Sequence, residues 1–174
     1  CDLTDINADE KVATAANKLG GASILINNAG ISKPLPFPEI TDENWSSVMD
    51  VNLGIAFRLT RCLWSQLSAS NGSVVNLASF ASKRSTLFGN NTSYVAAKHA
   101  INGLTRATAF EGASQGIRIN AVAPGVVDTE LIRSVHDADT RNKILGYIPQ
   151  NRFAETSEIA DVIVFLASSR ASHI

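Results

Sequence analysis

Three short apolar runs, each ending in small or polar residues, constrain this chain most. They are Ser23-Ile24-Leu25-Ile26-Asn27, Val74-Val75-Asn76-Leu77-Ala78 and Ile117-Arg118-Ile119-Asn120-Ala121-Val122-Ala123. The first is apolar without alternation, which suits a strand buried on both faces. Stretches of helical period lie between the runs. Residues 8–19 place Val12, Ala15, Ala16 and Leu19 on one face and stop at Gly20-Gly21. Thr41 caps a long helix over 42–69, where Val48, Val51, Ile55, Leu59 and Leu63 recur at the helical period. A further helix covers 93–114. Parallel neighbours need crossover helices, so this alternation predicts an α/β fold with a parallel sheet.

The remaining segments fit the same plan. Cys1-Asp2-Leu3 reads as the tail of a preceding strand. Pro34, Pro36 and Pro38 exclude regular structure from 31–40. Residues 79–92 form a polar loop, and 129–147 a polar helical stretch broken by Pro149. Thr156 and Glu158 open a last helix with Ile159, Val162, Ile163, Phe165 and Leu166 as its apolar side. No linker or repeat divides the chain, so residues 1–174 read as one domain.

Composition removes several classes. Apolar residues make up 45% and charged residues 18%, which excludes disorder. A net charge of -1 offers no field for nucleic acid. No apolar run reaches the roughly 20 residues of a membrane span. Cys1 and Cys62 give neither a metal spacing nor a disulfide framework, which points to a reducing, cytoplasmic compartment. His99, His136 and His173 fit no ligand spacing and read as surface or packing residues, so no metal is expected. Cys62 reads as a small buried hydrophobe, and Trp45 and Trp64 as packing or interface residues. The one methionine is Met49 and the chain opens on Cys1, which reads as a processed chain or a piece of a longer one.

In open parallel sheets, ligands bind beyond the carboxyl ends of the strands. Asp2-Leu3, Asn27-Asn28-Ala29-Gly30, Ser79 and Pro124-Gly125 stand there, all expected along one edge. Tyr94 and Lys98 follow on the next helix, four residues and so about 40° apart. A phenol titrates near 10 when unperturbed, too high for easy proton transfer. A lysine ammonium beside it favours the phenolate and is expected to bring Tyr94 down toward the useful range. A serine hydroxyl at 79 could then hold the reacting oxygen. Ser79 falls directly at the strand end and is preferred to Ser82. No histidine stands near as a base, so the set suits proton transfer to a carbonyl oxygen rather than nucleophilic hydrolysis.

Asn27-Asn28-Ala29-Gly30, Asn52, Ser79, Tyr94-x-x-x-Lys98 and Pro124-Gly125 with Thr129, in this order, resemble the short-chain dehydrogenase/reductase family. The resemblance runs from residue 1 to the end. It implies that Tyr94 is the general acid in reduction and the base in oxidation. Lys98 lowers its pKa and binds the nicotinamide ribose, Ser79 orients the substrate, and Asn52 holds a water of a proton relay. It further implies that Asp2 and Leu3 meet the adenine, and that Asn28, Ala29 and Gly30 line the adenine-ribose side. Pro124, Gly125, Val127 and Thr129 hold the nicotinamide end, and 129–152 forms a lid over the substrate. The implied cofactor is NAD or NADP, and the implied assembly a homotetramer or homodimer formed partly through helices 42–69 and 93–114.

Two departures accompany the resemblance. Ser79 and Tyr94 stand slightly further apart than is usual, and the extra length lies in Phe80–Thr92, expected to border the substrate. The family's opening strand, glycine-rich turn and helix, which hold the cofactor pyrophosphate, and its last strand have no counterpart in these residues. The expected fold is therefore a partial Rossmann-type domain with a doubly wound parallel sheet, whose 174 residues alone bind cofactor weakly and are inactive. The expected function is hydride transfer between NAD(P)H and a carbonyl or secondary alcohol, with 3-oxoacyl or related ketone reduction first. Sugar, polyol or steroid alcohol dehydrogenation and a non-catalytic dinucleotide-binding regulator are the alternatives. A lyase such as a halohydrin dehalogenase is similar but carries an arginine at the position of Lys98.

Overall fold

The computed structural model describes residues 1–86 and 89–174. Leu87 and Phe88, in the segment expected to border the substrate, lie outside the described residues. The elements run α1 (Ala8–Lys18), β1 (Ile24–Asn27), α2 (Asp42–Met49), a π-helical turn (Asp50–Gly54), α3 (Ile55–Ala69), β2 (Ser73–Leu77), α4 (Thr92–Ala113), β3 (Arg118–Val122), α5 (Glu130–Val135), α6 (Ala138–Leu145) and α7 (Thr156–Ala167), with short 3-10 turns between some of them. The strands form a parallel sheet in the order β1-β2-β3, so the fold is α/β and partial Rossmann, as the alternation predicts.

Register decides which residues share a face. Leu25, Val74 and Ile119 stand side by side, as do Asn27, Asn76 and Ala121. This face meets the helices that cross between strands. Leu25, Val74 and Ile119 pack with Ile55, Leu59, Leu63 and Leu67 of α3, and Val12, Ala13 and Ala16 of α1 close over them. The opposite face carries Ile24, Ser73 and Arg118, and there α7 lies over β2 and β3. The Ser73 hydroxyl donates to the Ala167 carbonyl (3.0 Å), and the Arg118 guanidinium donates to the carbonyls of Leu166 (2.9 Å) and Ser168 (3.0 Å). An arginine at the end of α7 gathers carbonyls that a helix leaves unpaired.

Several expectations change here. Residues 1–3 form no strand: Asp2 accepts from the Thr4 amide (2.9 Å) and hydroxyl (2.7 Å) in a local turn. Only β2 is buried on both faces, because α7 does not extend over β1. Ile24 is 52% and Ile26 37% exposed. The inward stripe of α1 is Val12, Ala13 and Ala16, while Ala15 and Leu19 face outward. The helix expected over 42–69 is continuous but contains the π turn. The stretch 129–147 is two helices, because Asp137 stops the first and caps the second by accepting from the Thr140 amide (2.8 Å). A 3-10 turn at Phe37–Glu39 interrupts the proline-rich loop. Helix α7 opens at Thr156 as expected, capped by Glu155 in a reciprocal box with Glu158.

Candidate active site

The carboxyl ends of the three strands open into a cleft of about 230 Å³. Its floor is built by chain turns the strands force. After β2, Ser79 caps a 3-10 turn by accepting from the Ala81 amide (3.1 Å), which leaves its side chain at the cleft edge and 8% exposed. The Phe80 amide donates to the Pro124 carbonyl (2.8 Å), tying this turn to the one after β3. Ser82 is buried elsewhere, receiving the Asn102 amide on its hydroxyl (3.0 Å), and does not line the cleft.

Helix α4 begins beside this turn and presents Tyr94 and Lys98 to the same cleft. Lys98 is 4% exposed, and its ammonium donates to the Leu77 carbonyl at the end of β2 (2.7 Å). The Lys98 nitrogen lies 5.6 Å from the centre of the Tyr94 ring. Burial without a carboxylate partner lowers the Lys98 pKa to about 8. The Tyr94 pKa moves the opposite way from expectation. Burial of the phenol raises it, and a hydrogen bond with the Ser79 side chain only opposes that rise. Desolvation disfavours the phenolate more than its neighbours favour it.

Asn52 approaches from the π turn. It is 2% exposed, and its amide nitrogen donates to the carbonyls of Ile31 (2.8 Å) and Val48 (2.8 Å). Its Oδ1 is buried with no protein partner. A Cβ on Gly30 would stand 2.8 Å from that oxygen and 3.6 Å from the Lys98 nitrogen. The glycine therefore lets the turn after β1 pass close to both groups. Ser79 from the turn after β2, Tyr94 and Lys98 from α4 and Asn52 from the π turn thus line one cleft with Asn28, Gly30, Pro124, Gly125, Val127 and Thr129.

The outer wall is apolar: Leu131, Ile132 and Val135 of α5 and Ile144 of α6. The segment carrying them is closed at its base. Val127 pairs with Ala154 in a parallel bridge, with Asp128 amide to Ala154 carbonyl (2.9 Å) and Ala154 amide to Val126 carbonyl (3.0 Å). Residues 129–153 therefore form a flap whose two ends are joined beside the cleft.

A family model described as enoyl-(acyl carrier protein) reductase matches residues 1–174. An acetoacetyl-CoA reductase of Shinella zoogloeoides is 37% identical over 166 residues, 95% of this chain and 68% of that protein. A 3-oxoacyl-[acyl-carrier-protein] reductase of Pseudomonas aeruginosa is 35% identical over 177 residues, 99% of this chain and 70% of that protein. A counterpart in Thermotoga maritima is 35% identical, with 95% of this chain and 66% of that protein covered. The chain belongs to the short-chain dehydrogenase/reductase family. It spans about two thirds of the length of these relatives.

Family membership makes the chain an oxidoreductase of α/β fold. Not every residue implied by the resemblance reaches the cleft. Asp2 is exposed in its own turn, Leu3 packs against the α1–α3 core, and Ala29 is exposed between two cleft residues without lining it. Conversely, His136 is half-buried at the cleft wall, where spacing gave it no role. Its pKa is lowered by burial, with Asp137 opposing. The missed signal was its position within the segment already assigned as a lid. Asn27, named only as part of its motif, and Asn76 were given no role. The Asn27 amide donates to the Asn76 carbonyl oxygen (2.8 Å) and to the Thr60 hydroxyl (3.2 Å), and the Asn76 amide to the Thr105 hydroxyl (2.9 Å). This buried chain ties α3, β1, β2 and α4 together directly under the cleft. Among the described residues no acidic, histidine or cysteine group could hold a metal, and no helix is long and apolar enough to cross a membrane.

Proposed function

We propose that the protein transfers hydride between NAD(P)H and a ketone or secondary alcohol, with Tyr94 as the proton donor and acceptor. The convergence of Ser79, Tyr94, Lys98 and Asn52 in one cleft at the carboxyl edge of the sheet carries this reading. The residues present suit a nicotinamide nucleotide. Lys98 spends one N–H on Leu77 and has two left for a ribose. Gly125 has open space where a side chain would stand, and Gly30 leaves room beside Lys98. Asn28 and Gly30 would line the ribose side. Pro124, Gly125, Val127 and Thr129 would hold the nicotinamide end. When bound, the nucleotide supplies or accepts the hydride.

The chain's own residues handle the proton. The Ser79 hydroxyl fixes the carbonyl oxygen, and the neutral Tyr94 phenol donates to it as charge develops. Burial keeps that phenol protonated, which suits reduction. The Lys98 ammonium then stabilises the phenolate. Asn52 Oδ1 is a buried acceptor that a water could use to pass a proton toward Lys98.

The apolar flap favours a ketone with a carbon chain over a polyhydroxylated one. The apolar flap and the names of the relatives support reduction of a 3-oxoacyl thioester or similar ketone as the first reading. Tyr94→Phe keeps the ring and its packing. It is expected to lower ketone reduction by at least about 100-fold, with nucleotide binding changed little by fluorescence titration. Undiminished turnover would remove Tyr94 from the mechanism.

A further inference from the structure

The π turn at Asp50–Gly54 places Asn52, and the structure shows what opposes its collapse. The Val48 carbonyl accepts from the Asn52 side-chain amide at 2.8 Å. The second amide proton goes to Ile31 (2.8 Å), so the side chain is pinned on both sides and Oδ1 faces Gly30 and Lys98.

Asp50 and Arg58 bracket the turn. The guanidinium donates to both carboxylate oxygens, Nη1 to Oδ1 at 2.6 Å and Nη2 to Oδ2 at 3.2 Å. Residues eight apart on an α-helix stand about 80° apart around the axis. A π turn takes more residues per revolution, so it carries Arg58 back toward the face of Asp50. The fork-to-fork geometry is thus specific to the π register. Gly54 lies beneath the pair, and a Cβ there would meet Asp50 Oδ1 at 2.5 Å and Arg58 Nη1 at 3.1 Å. We propose that Asp50 and Arg58 are positioning residues for the reaction: their ion pair, closed over Gly54, holds the π register that aims Asn52 Oδ1 at Lys98. This rests on the reductase reading given above.

The test uses the intact protein and four variants: Arg58→Met, Asp50→Asn, Arg58→Lys and Asn52→Ala. Arg58→Met and Asp50→Asn are expected to lower kcat for ketone reduction about tenfold, with KM for the nucleotide within twofold. Arg58→Lys should recover part of the loss. In an Asn52→Ala background, Arg58→Met should cost nothing further. Equal, additive losses in both backgrounds, or an unchanged kcat in the single variants, would overturn the proposal. Should Arg58→Met fold poorly, Asp50→Asn in the same two backgrounds carries the comparison. If the parent protein reduces no ketone with either nucleotide, the functional reading fails by itself. Positioning is then decided by the Asn52 side-chain amide protons in NMR, slow to exchange in the parent and fast in Arg58→Met. Equal protection in both would overturn it.

Discussion

Lys98 is where chemistry and stability conflict. It is a cation, 4% exposed, whose only hydrogen bond among the described residues runs to the Leu77 carbonyl. Its pKa of about 8, against 10.5 for an ordinary lysine, corresponds to roughly 3 kcal/mol against the charged form. Below pH 8 that cost is fully present. Between about 8 and 10.5 the native lysine releases its proton while the unfolded one keeps it, so the unfolded state binds more protons and stability rises with pH. Lys98→Met removes the charge at similar length. It forfeits the bond to Leu77, worth about 1 kcal/mol or more, so a net gain of about 1–2 kcal/mol at pH 7 is expected. Urea unfolding at pH 7 and 9.5 checks this. The parent should gain stability between the two values, the variant should lack that gain, and ketone reduction should be lost. A variant less stable than the parent at pH 7 would contradict the account. The Tyr94 correction has the same source. Four-residue spacing put a cation beside a phenol, but the sequence carries no measure of how far both are withdrawn from water.

At the scale of elements, legibility followed periodicity. The helices at 8–19 and 93–114 and the three strands were readable because each buries a regular stripe or run. The π turn was not, since Val48, Ile55, Leu59 and Leu63 keep an apolar face through it, and the Asp50–Arg58 pair across it shows only in the structure. Nor was the split at His136, because Asp137 reads as one more polar residue until its cap is seen. The site was legible where a residue follows a strand directly, as with Ser79 and Gly30. At Asp2 the expected strand end is a local turn instead. The Asn27–Asn76 pair shows what an apolar run conceals: two amides inside strands, one donating to the other across the β1–β2 pairing. Asn76→Leu would strand the Asn27 amide with the Thr60 hydroxyl alone. An expected cost of about 2–3 kcal/mol would appear as a lower urea midpoint with an unchanged slope. Replacing both asparagines with leucine should cost less than twice that, because neither partner is then left unpaired. Additive losses would show that the two amides act independently.

On the scale of the whole molecule, the sheet and the cleft make different demands. Three strands bring the proton-handling groups together, and the chain spans about two thirds of the length of its reductase relatives. Dinucleotide binding in a Rossmann-type fold also draws on a glycine-rich turn at a helix N-terminus for the pyrophosphate. Among these 174 residues the only adjacent glycines, Gly20-Gly21, end α1 with positive φ and lie outside the cleft. Taken alone, these residues would hold the nicotinamide end without that phosphate anchor. On the other face, Ile24 and Ile26 of β1 remain open to solvent, an apolar edge that favours association. Prepared as an isolated polypeptide, residues 1–174 are expected to bind NADH or NADPH more weakly than about 1 mM, less than about 4 kcal/mol of binding free energy, and to associate as concentration rises. Calorimetric titration with each nucleotide, alongside light scattering, reads both. Micromolar binding by the isolated residues would place a pyrophosphate site within them, with the backbone amides of Asn28 to Gly30 the first place to look for it.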